Sequence, residues 1–448
     1  MKNIMYNSTN MISQPLRFKD ALLRGQAPDK GLYIPDRYPK ISFDELISME
    51  NKKYHEVAFE VMNKFLNEEV PEEKLRDLTK EAYNFDTFVE HVDEKFHLMR
   101  LDKGPTASFK DYAARMMGSL MQHYLDEDNK KLTILTATSG DTGSAVANAF
   151  HNRDNIQVVV LFPQKEVTKR QRKQMTTLDG NVTPIAVKGK FDDCQSLVKQ
   201  AFSDNDFRDL NLSSANSINI GRLLPQTVYY FYGYTRLGSN GINYSVPCGN
   251  FGNLTGGLIA RKMGLPIRKF VAAVNENNEF PVFMETEQYK PIVPSKNCLS
   301  NAMNVGDPSN LKRIVAMYDG RMNEKSRIIK KPNMNAMRND IFSISITDSL
   351  TKETIKDAYQ NYDLVLEPHG AVAWAGSQEY MYRFDESTPL ISLETADPAK
   401  FPEVFEEIGI RCPKLPESMK IAMNRKEHFS TIDASYSSFK KFLTENFK

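Results

Sequence analysis

The apolar positions divide the chain into a helical first part and a longer part in which strands alternate with helices. Over the first 95 residues or so, apolar side chains recur every three or four positions, the spacing of a helix with one buried face. The segments with this spacing are residues 43–49, residues 57–66 and the stretch after Pro71 that contains Leu75, Leu78 and Ala82. We therefore predict a mainly helical N-terminal unit in which Pro71 opens one helix.

From residue 132 onwards, short runs rich in β-branched and apolar residues alternate with helical patterns. The predicted strands are residues 132–138, 156–162, 182–187, 242–246, 270–274, 364–366 and 390–393. Such alternation is typical of parallel sheets covered by helices on both faces. Apolar positions 439, 442, 443 and 447 predict a closing helix with Asp433 or Ser435 as its N-cap.

The predicted fold class is α/β, with two mostly parallel, helix-covered sheet domains preceded by the helical unit. The chain of 448 residues is longer than a single core usually supports, about 250–300 residues. The expected domains are residues 1–95, the N-terminal unit; residues 96–230, a smaller α/β domain; and residues 231–448, a larger α/β domain with C-terminal helices.

Charge and cysteine content favour a small-molecule partner in the cytoplasm. The 58 Lys and Arg nearly balance 57 Asp and Glu, so no overall field attracts nucleic acid or an anionic membrane. The four cysteines form no C-x-x-C pair, which argues against a zinc cluster or a disulfide framework, and we expect no metal. Residues 1–14 lack the apolar core of a signal peptide, and the longest apolar run, residues 158–162, is too short to span a bilayer.

The most informative motif is Gly-Pro-Thr-Ala-Ser-Phe-Lys-Asp at residues 104–111. It sets Lys110 at an expected loop-to-helix junction, beside donors that can orient an aldehyde cofactor. Lys110 is therefore the leading candidate for a lysine that forms a Schiff base. A solvated surface charge is the alternative for any single lysine, so the other loops decide between the two.

Two glycine-rich loops follow predicted strands, the place where ligands gather in open α/β folds. After residues 132–138, the loop consists of Ser139, Gly140, Asp141, Thr142 and Gly143. Its hydroxyls and free N–H groups suit a carboxylate or phosphate, although an ordinary capped turn has the same composition. After residues 242–246, the loop contains Gly249, Asn250, Phe251, Gly252 and Asn253, with a helix expected from residue 258. These main-chain amides can wrap an anion, and a plain glycine-rich turn is the alternative.

Two further loops carry polar groups. Residues 216–222 bring Asn216 and Ser217 close in sequence to Arg222, a mixture able to hold a phosphate through the guanidinium. A capped helix start followed by a surface arginine is the alternative there. Thr395 follows the predicted strand at residues 390–393 and can present a hydroxyl at its carboxyl end.

Together and in this order, the segments resemble the threonine synthase family, pyridoxal-phosphate enzymes with the tryptophan-synthase-β-like fold (fold type II). The resemblance covers nearly the whole chain. It begins with Tyr-Asn-Ser-Thr at residues 6–9 and Ala-Pro-Asp-Lys-Gly-Leu-Tyr-Ile-Pro at residues 27–35. It continues through the motifs at residues 104–111, 139–143, 216–222, 249–253, 366–371 and 395–402. Seven motifs in order over this length, with the two N-terminal segments counted as one signature, are a specific signal.

The resemblance implies the cofactor pyridoxal 5'-phosphate, with Lys110 as its Schiff-base lysine and residues 249–253 as the cradle for its phosphate. Thr395 falls where the family places a hydroxyl against the pyridine nitrogen, and Asp141 falls near the ring hydroxyl. The substrate's α-carboxylate would meet Ser139, Gly140, Thr142 and Gly143. The substrate's own phosphate would meet Arg222, Asn216, Ser217 and Ser108.

The implied reaction converts O-phospho-L-homoserine and water to L-threonine and inorganic phosphate, with Lys110 as the base at Cα. A monomer or homodimer is expected. The sequence departs from the family pattern at Asp397, where histidine is usual, at Asn304, where aspartate is more common, and at Lys30, where glycine is common. We expect His369, in a Pro-His-Gly turn, to be structural.

Two alternatives of different kinds remain open. One is another fold type II lyase, such as a serine/threonine dehydratase or an O-acylserine β-replacement enzyme, although those lack the N-terminal unit with its Tyr-Asn-Ser-Thr start. The other is a non-catalytic protein that keeps the phosphate site and has lost turnover, against which Lys110 argues.

Overall fold

Two mainly parallel β-sheets, each covered by helices, form the body of the protein. The computed structural model describes residues 3–138, 140–238 and 241–447. Its strands are β1 (Tyr6–Ser8), β2 (Tyr33–Pro35), β3 (Val89–His91), β4 (Phe96–Arg100), β5 (Leu132–Ala137), β6 (Ile156–Pro163), β7 (Val182–Lys188), β8 (Leu212–Ser213), β9 (Ile242–Pro247), β10 (Ile267–Val274), β11 (Arg321–Met322), β12 (Ile328–Lys330), β13 (Ile341–Ser345), β14 (Leu390–Glu394) and β15 (Ser430–Asp433).

The helices surround these sheets and make up the N-terminal unit. They are α1 (Phe18–Arg24), α2 (Phe43–Ser48), α3 (Tyr54–Leu66), α4 (Glu72–Ala82), α5 (Lys110–Asp128), α6 (Asp141–Phe150), α7 (Lys169–Thr176), α8 (Phe191–Ser203), α9 (Gln226–Leu237), α10 (Gly252–Lys262), α11 (Glu279–Thr286), α12 (Leu311–Met317), α13 (Met334–Asp340), α14 (Asp348–Tyr362), α15 (Pro368–Arg383), α16 (Pro402–Ile408), α17 (Glu417–Asn424) and α18 (Tyr436–Phe447). None of the helices in the described ranges is both long enough and apolar enough to cross a membrane.

The larger sheet has six strands in the order β13-β10-β9-β14-β4-β3, and only the pair of β4 and β3 is antiparallel. α15 packs against β14, β10 and β9, and β9 is buried at every position. A strand covered on both faces needs apolar or internally bonded side chains throughout, which is why β9 lacks the alternation of a half-exposed strand. The predicted α/β class with two mostly parallel sheets is confirmed.

The smaller sheet has five parallel strands in the order β15-β7-β6-β5-β8. Its edge strand β15 comes from the end of the chain and pairs with β7, from Ser430 opposite Ile185 to Asp433 opposite Lys188. The closing helix α18 packs against β15 and α8. The N–H of Ser438 donates to Ser435 Oγ at 3.4 Å, so of the two expected N-caps it is Ser435 that caps the helix.

The N-terminal unit contains α1 to α4 and a small antiparallel pair of β1 and β2, which helical spacing alone did not predict. α4 begins directly after Pro71, as predicted. Sheet membership also departs from the expected domain boundaries at two places. β4 belongs to the larger sheet because it pairs with β14, and β15 belongs to the smaller one. Both pairings join segments far apart in sequence, and the local pattern of apolar and polar residues does not indicate such pairings.

The prediction of a strand at residues 364–366 was wrong. This segment is an irregular connection between α14 and α15, with Leu364 and Leu366 buried in the core. A short apolar run has the same composition whether it is a strand or a buried connection, so only neighbouring strands distinguish the two. The other six predicted strands correspond to β5, β6, β7, β9, β10 and β14.

Candidate active site

The predicted site loops follow the carboxyl ends of β4, β5, β9 and β14, from both sheets. Ligands of open α/β folds bind at these ends because the loops there converge. Two of the loops are joined directly: the N–H of Phe109 donates to the carbonyl oxygen of Thr395 at 2.9 Å, and the N–H of Asp397 donates to that of Ala107 at 3.0 Å. The segment before Lys110 therefore forms an antiparallel bridge with the segment after β14, with Ser108 opposite Ala396.

Lys110 is the first residue of α5, as the loop-to-helix prediction required. The preceding turn is closed by Asp111, whose carboxylate accepts hydrogen bonds from the N–H and the hydroxyl of Thr106 at 2.8 and 2.6 Å. Gly104 lies against that carboxylate, and a Cβ there would stand 2.4 Å from Asp111 Oδ2. The glycine is needed for this close approach, which fixes the start of α5.

The Lys110 side chain is 13 % exposed, and its Nζ lies 3.8 Å from Asp141 Oδ2. Burial lowers its pKa below the ordinary value, the charges of Lys400 and Arg222 lower it further, and Asp141 opposes the shift. A depressed pKa increases the fraction of uncharged amine, the nucleophilic form that attacks an aldehyde.

Asp141, the first residue of α6, is held by two other side chains. Its Oδ1 accepts hydrogen bonds from Lys400 Nζ at 3.1 Å and from Gln171 Nε2 at 3.2 Å. Burial alone would raise the pKa of Asp141, but Lys400 and Lys110 outweigh it and the pKa lies below its ordinary value. Asp141 is therefore a carboxylate with a fully buried lysine as its nearest counter-charge.

The loop at residues 249–253 opens α10, which already begins at Gly252 and not at residue 258 as expected. In the part of the chain that the structure describes, the N–H groups of Gly252, Asn253 and Leu254 have no hydrogen-bond partner, nor has the buried Nδ2 of Asn253. Phe251 has a left-handed φ of 60°, which turns the chain into the helix. A Cβ at Gly249 would stand 2.9 Å from Met303 Cα.

These unpartnered donors at a helix N-terminus fit the phosphate of pyridoxal phosphate. Asn253 Oδ1 accepts hydrogen bonds from the hydroxyls of Tyr229 and Tyr230 at 2.6 and 2.7 Å, which orients its free Nδ2. The carbonyl oxygen of Asn250 accepts from the N–H of Asn310 at 3.2 Å. The loop is thus braced on one side by tyrosines and on the other by the segment before α12.

Thr395 lies at the end of β14 and is 5 % exposed. Its Oγ1 donates to Glu367 Oε1 at 3.2 Å. Glu367 caps α15 by accepting from the N–H groups of His369 and Gly370, and it also pairs with His369 Nδ1. His369 Nε2 accepts from the N–H of Ala302 at 3.1 Å, so both ring nitrogens are bonded within the protein, as expected of a structural histidine.

Arg222 is 5 % exposed and closes a 3₁₀ turn, Ile220–Arg222. Its Nη1 donates to the carbonyl oxygen of Ala215 at 2.6 Å, while its buried Nε has no partner among the described residues. Burial lowers the pKa of Arg222 to about 10, so the guanidinium stays charged at neutral pH. A buried cation with an unused donor, and no carboxylate bound to it in the described ranges, is suited to an anionic ligand.

The remaining substrate candidates lie in two loops. Ser139 is outside the described residues. The N–H of Gly143 and that of Gly140 donate to Thr138 Oγ1, and the side chain of Thr142 is half-buried. Asn216 Oδ1 accepts from Thr136 Oγ1 at 2.6 Å, which brings residues 216–222 to β5. Ser217 Oγ lies 3.5 Å from Ser309 Oγ, and Ser108 Oγ accepts from the N–H of Lys110 at 3.3 Å.

Sequence reasoning missed two residues that brace the site. Lys400 lies in a recognised motif, but nothing in its sequence neighbourhood distinguishes a buried lysine from an exposed one. Arg313 is fully buried and donates to the carbonyl oxygens of Tyr33, Ser217 and Ile218 and to Asn310 Oδ1. It thereby ties the N-terminal unit to the loop that contains Arg222.

Two of the three departures from the family pattern have local explanations, whereas the third, Lys30, lies where glycine is favoured. Asp397 caps the Pro398–Lys400 turn by accepting from the N–H of Ala399 at 2.8 Å. Asn304 Oδ1 accepts from Asn275 Nδ2 and the N–H of Cys298, while its Nδ2 donates to the Cys298 carbonyl, a donation that aspartate cannot make. Lys30 has a left-handed φ of 64°, the conformation in which glycine is favoured.

Comparisons with known proteins agree along the whole chain. Residues 5–83 match the family described as "Threonine synthase N terminus", residues 82–393 match "Pyridoxal-phosphate dependent enzyme", and residues 370–443 match "Threonine synthase, C-terminal". Threonine synthase of Serratia marcescens is 35 % identical over 436 residues, 96 % of this chain and 97 % of that protein.

Solved structures give the same result. A PLP-bound threonine synthase from Brucella melitensis has a TM-score of 0.93 at 32 % identity and covers 99 % of both chains. A threonine deaminase from Solanum lycopersicum has a TM-score of 0.54 at 17 % identity, over 89 % of this chain and 97 % of that one. At that identity the second likeness concerns the fold alone.

Proposed function

The chain belongs to the threonine synthase family of pyridoxal-phosphate-dependent enzymes, and on that premise we propose which of its residues hold the cofactor, bind the substrate and move protons. Its activity is that of a pyridoxal-phosphate-dependent threonine synthase. The proposed reaction converts O-phospho-L-homoserine and water to L-threonine and inorganic phosphate.

The cofactor is held by Lys110 at its aldehyde and by the amides of residues 249–253 at its phosphate. The three unpartnered N–H groups that open α10 and the free Nδ2 of Asn253 support this assignment. Thr395 faces the pyridine nitrogen, and Asp141 lies on the side of the ring hydroxyl. When bound, pyridoxal phosphate supplies an aldehyde that links to amines and a ring that withdraws electrons from the substrate's Cα.

The substrate's phosphate is held by Arg222, with Asn216, Ser217 and Ser108 as further donors. The unused, buried Nε of Arg222 supports this role. The substrate's α-carboxylate is held at the start of α6 by Ser139 and Thr142, while Gly140 and Gly143, whose N–H groups donate to Thr138 Oγ1, shape the turn around it. The N–H groups of Asp141 and Thr142 have no partner among the described residues, which suits an anion at this helix N-terminus.

Lys110 also moves the protons. Its burial and the neighbouring cations favour the uncharged amine, which accepts a proton from the substrate's Cα once the substrate's amine has displaced it. Arg222 stabilises the negative charge that collects on the departing phosphate. The observation that carries the proposal is the combination of two groups in one site. The Lys110 amine suits an aldehyde, and the buried Arg222 guanidinium that acts on it suits a dianion.

The experiment is incubation of the cofactor-loaded protein with O-phospho-L-homoserine, with phosphate and threonine measured together. We expect the two to appear in equal amounts, and borohydride to attach the cofactor to a peptide that contains Lys110. A ketoacid in place of threonine would favour the dehydratase alternative. A protein that takes up the cofactor but releases neither product would be the non-catalytic alternative.

We propose that the protein acts in the cytoplasm as a monomer or homodimer. Cys194, Cys248, Cys298 and Cys412 are all free thiols, which suits a reducing compartment. We also propose domains at residues 1–95, 96–230 and 231–448. Two strands are exceptions: β4 belongs with the larger sheet and β15 with the smaller one. Light scattering of the purified full chain measures the oligomeric state.

A further inference from the structure

A second lysine lies at the same carboxylate as Lys110. The side chain of Lys400 has no exposed surface, and its Nζ donates to Asp141 Oδ1 at 3.1 Å. Lys110 Nζ lies 3.8 Å from the other oxygen, Oδ2, beyond normal hydrogen-bond distance. The Asp141 carboxylate thus lies near two lysines, and only Lys400 of the two is hydrogen-bonded to it.

The fold holds Lys400 in this position by its main chain. Lys400 ends the 3₁₀ turn Pro398–Lys400, which Asp397 caps, and its own N–H donates to the carbonyl oxygen of Asp397 at 3.0 Å. Arg170 of α7 donates to the carbonyl oxygen of Ala399. Gln171, the next residue of α7, donates to the same Asp141 oxygen as Lys400. The Pro398–Lys400 turn and helix α7 together hold the Lys400 side chain against Asp141.

Among the described residues, the carboxylates near the two lysines other than Asp141 are already engaged, so a second ammonium has no free counter-charge. Burying a charged amine is costly unless it is paired, whereas burying a neutral amine costs much less. The groups that act electrostatically on Lys110 or Asp141 are Lys400, Arg222, Glu367 and His369. Asp111 is engaged by Thr106, and Glu367 by Thr395 and the first turn of α15.

We propose that Lys400 is a positioning residue for Lys110: it is the permanent counter-ion of Asp141, and this pairing leaves Lys110 an uncharged amine, ready to attack the cofactor's aldehyde. The inference rests on the proposed role of Lys110. It is supported by the lowered pKa of Lys110, to which Lys400 contributes after burial. Without Lys400, Asp141 would require the proton on Lys110 instead.

The test is the pH dependence of cofactor capture by the full-length chain freed of cofactor. In Lys400→Met, the removal of a positive charge and the release of Asp141 both favour the Lys110 ammonium. We expect the midpoint of the capture rate to move up by about one pH unit, which makes capture about tenfold slower below the midpoint. Lys165→Met, at an exposed position, is the control and should leave the profile unchanged.

Two further variants separate this role from a merely structural one. Asp141→Asn should move the midpoint down, because Lys110 then loses the carboxylate that lies 3.8 Å from its Nζ. Lys400→Met/Asp141→Asn should return the midpoint towards that of the unmodified protein. An unmoved midpoint in Lys400→Met would overturn the proposal, and so would a raised midpoint that the double variant does not restore. If Lys400→Met does not fold, an unmoved or raised midpoint in Asp141→Asn overturns it.

The site of covalent attachment distinguishes the two proposals. Borohydride reduction followed by peptide mapping shows whether the captured cofactor is on Lys110 in every variant. Cofactor found on another lysine, or capture that persists in Lys110→Ala, would remove the proposed function itself. If the cofactor is on Lys110 and the midpoint of the capture rate is the same with and without Lys400, only the inference about Lys400 is lost.

Discussion

The N–H of Phe109 donates a hydrogen bond to the carbonyl oxygen of Thr395 at 2.9 Å. This bond belongs to an antiparallel bridge in which Ser108 lies opposite Ala396, just beyond the parallel pairing of β4 with β14 that ends at Arg100 and Glu394. The residue before Lys110 and the residue proposed to meet the pyridine nitrogen are therefore fixed to each other through main-chain atoms. A shift in the register of either strand would move one end of the cofactor site relative to the other.

Arg222→Ala is expected to reduce turnover without removing the cofactor. Loss of the charge-assisted contact to the substrate's phosphate should cost on the order of 2–4 kcal/mol in transition-state stabilisation. The absorbance of the lysine-linked cofactor should remain largely intact, because Arg222 lies outside the proposed cofactor cradle. Steady-state kinetics and the absorption spectrum of the same preparation measure the two effects. Unchanged turnover would move the substrate's phosphate site elsewhere, for instance to Lys169 or Arg170.

Asn253→Asp is expected to weaken cofactor binding. The replacement keeps an oxygen for the hydroxyls of Tyr229 and Tyr230 but replaces the unpartnered Nδ2 with a second acceptor. A carboxylate beside the cofactor's phosphate should lower the affinity by about a hundredfold, from a loss of about 3 kcal/mol. Spectroscopic titration with pyridoxal phosphate measures this loss. An unaltered affinity would show that the cradle does not use this side chain.

Glu279→Gln is expected to stabilise the protein above neutral pH. Burial raises the pKa of Glu279 to about 7 from 4.5, with Asp307 adding to the shift, and its buried Oε2 has no hydrogen-bond partner among the described residues. The folded state therefore binds this proton more tightly than the unfolded state. The resulting stability is fully present below pH 4.5 and is lost as the pH rises through about 7.

The glutamine variant should match the unmodified protein near pH 4.5 and exceed it at pH 8 by about 2–3 kcal/mol. Urea unfolding at the two pH values measures the difference. Glu285→Gln, exposed on the same helix, is the control and should change the free energy of unfolding little at either pH. An equal effect of both substitutions at pH 8 would contradict the prediction.

Asn304→Asp is expected to be tolerated better than Asn304→Ala. The aspartate keeps the two acceptor contacts, to Asn275 Nδ2 at 2.9 Å and to the N–H of Cys298 at 3.1 Å, and loses only the donation to the Cys298 carbonyl. We expect a loss of about 1 kcal/mol for the aspartate and about 2–3 kcal/mol for the alanine, which leaves buried groups unpaired. Urea unfolding ranks the two variants, and the reverse order would show that the negative charge dominates.

Much of the fold and several site loops could be predicted because they depend on local chemistry. Lys110 begins α5, and the glycines at residues 249–253 open α10, since a helix start depends on residues within a few positions. The apolar run at residues 364–366 was misassigned because a strand requires a neighbour that composition does not reveal. The assignments of individual residues to cofactor and substrate remain proposals.

The sequence by itself determined the alternation of strands and helices, the loops with spare amide donors and the presence of a reactive lysine candidate. Only the tertiary structure decided which distant segments meet: Lys400 with Asp141, Arg313 with the loop of Arg222, and β15 with β7. Helix starts and turns depend on neighbours along the chain. Burial and pairing of charges depend on strand order and on helices packed from distant segments, and these determine whether a lysine is a surface cation or an uncharged amine.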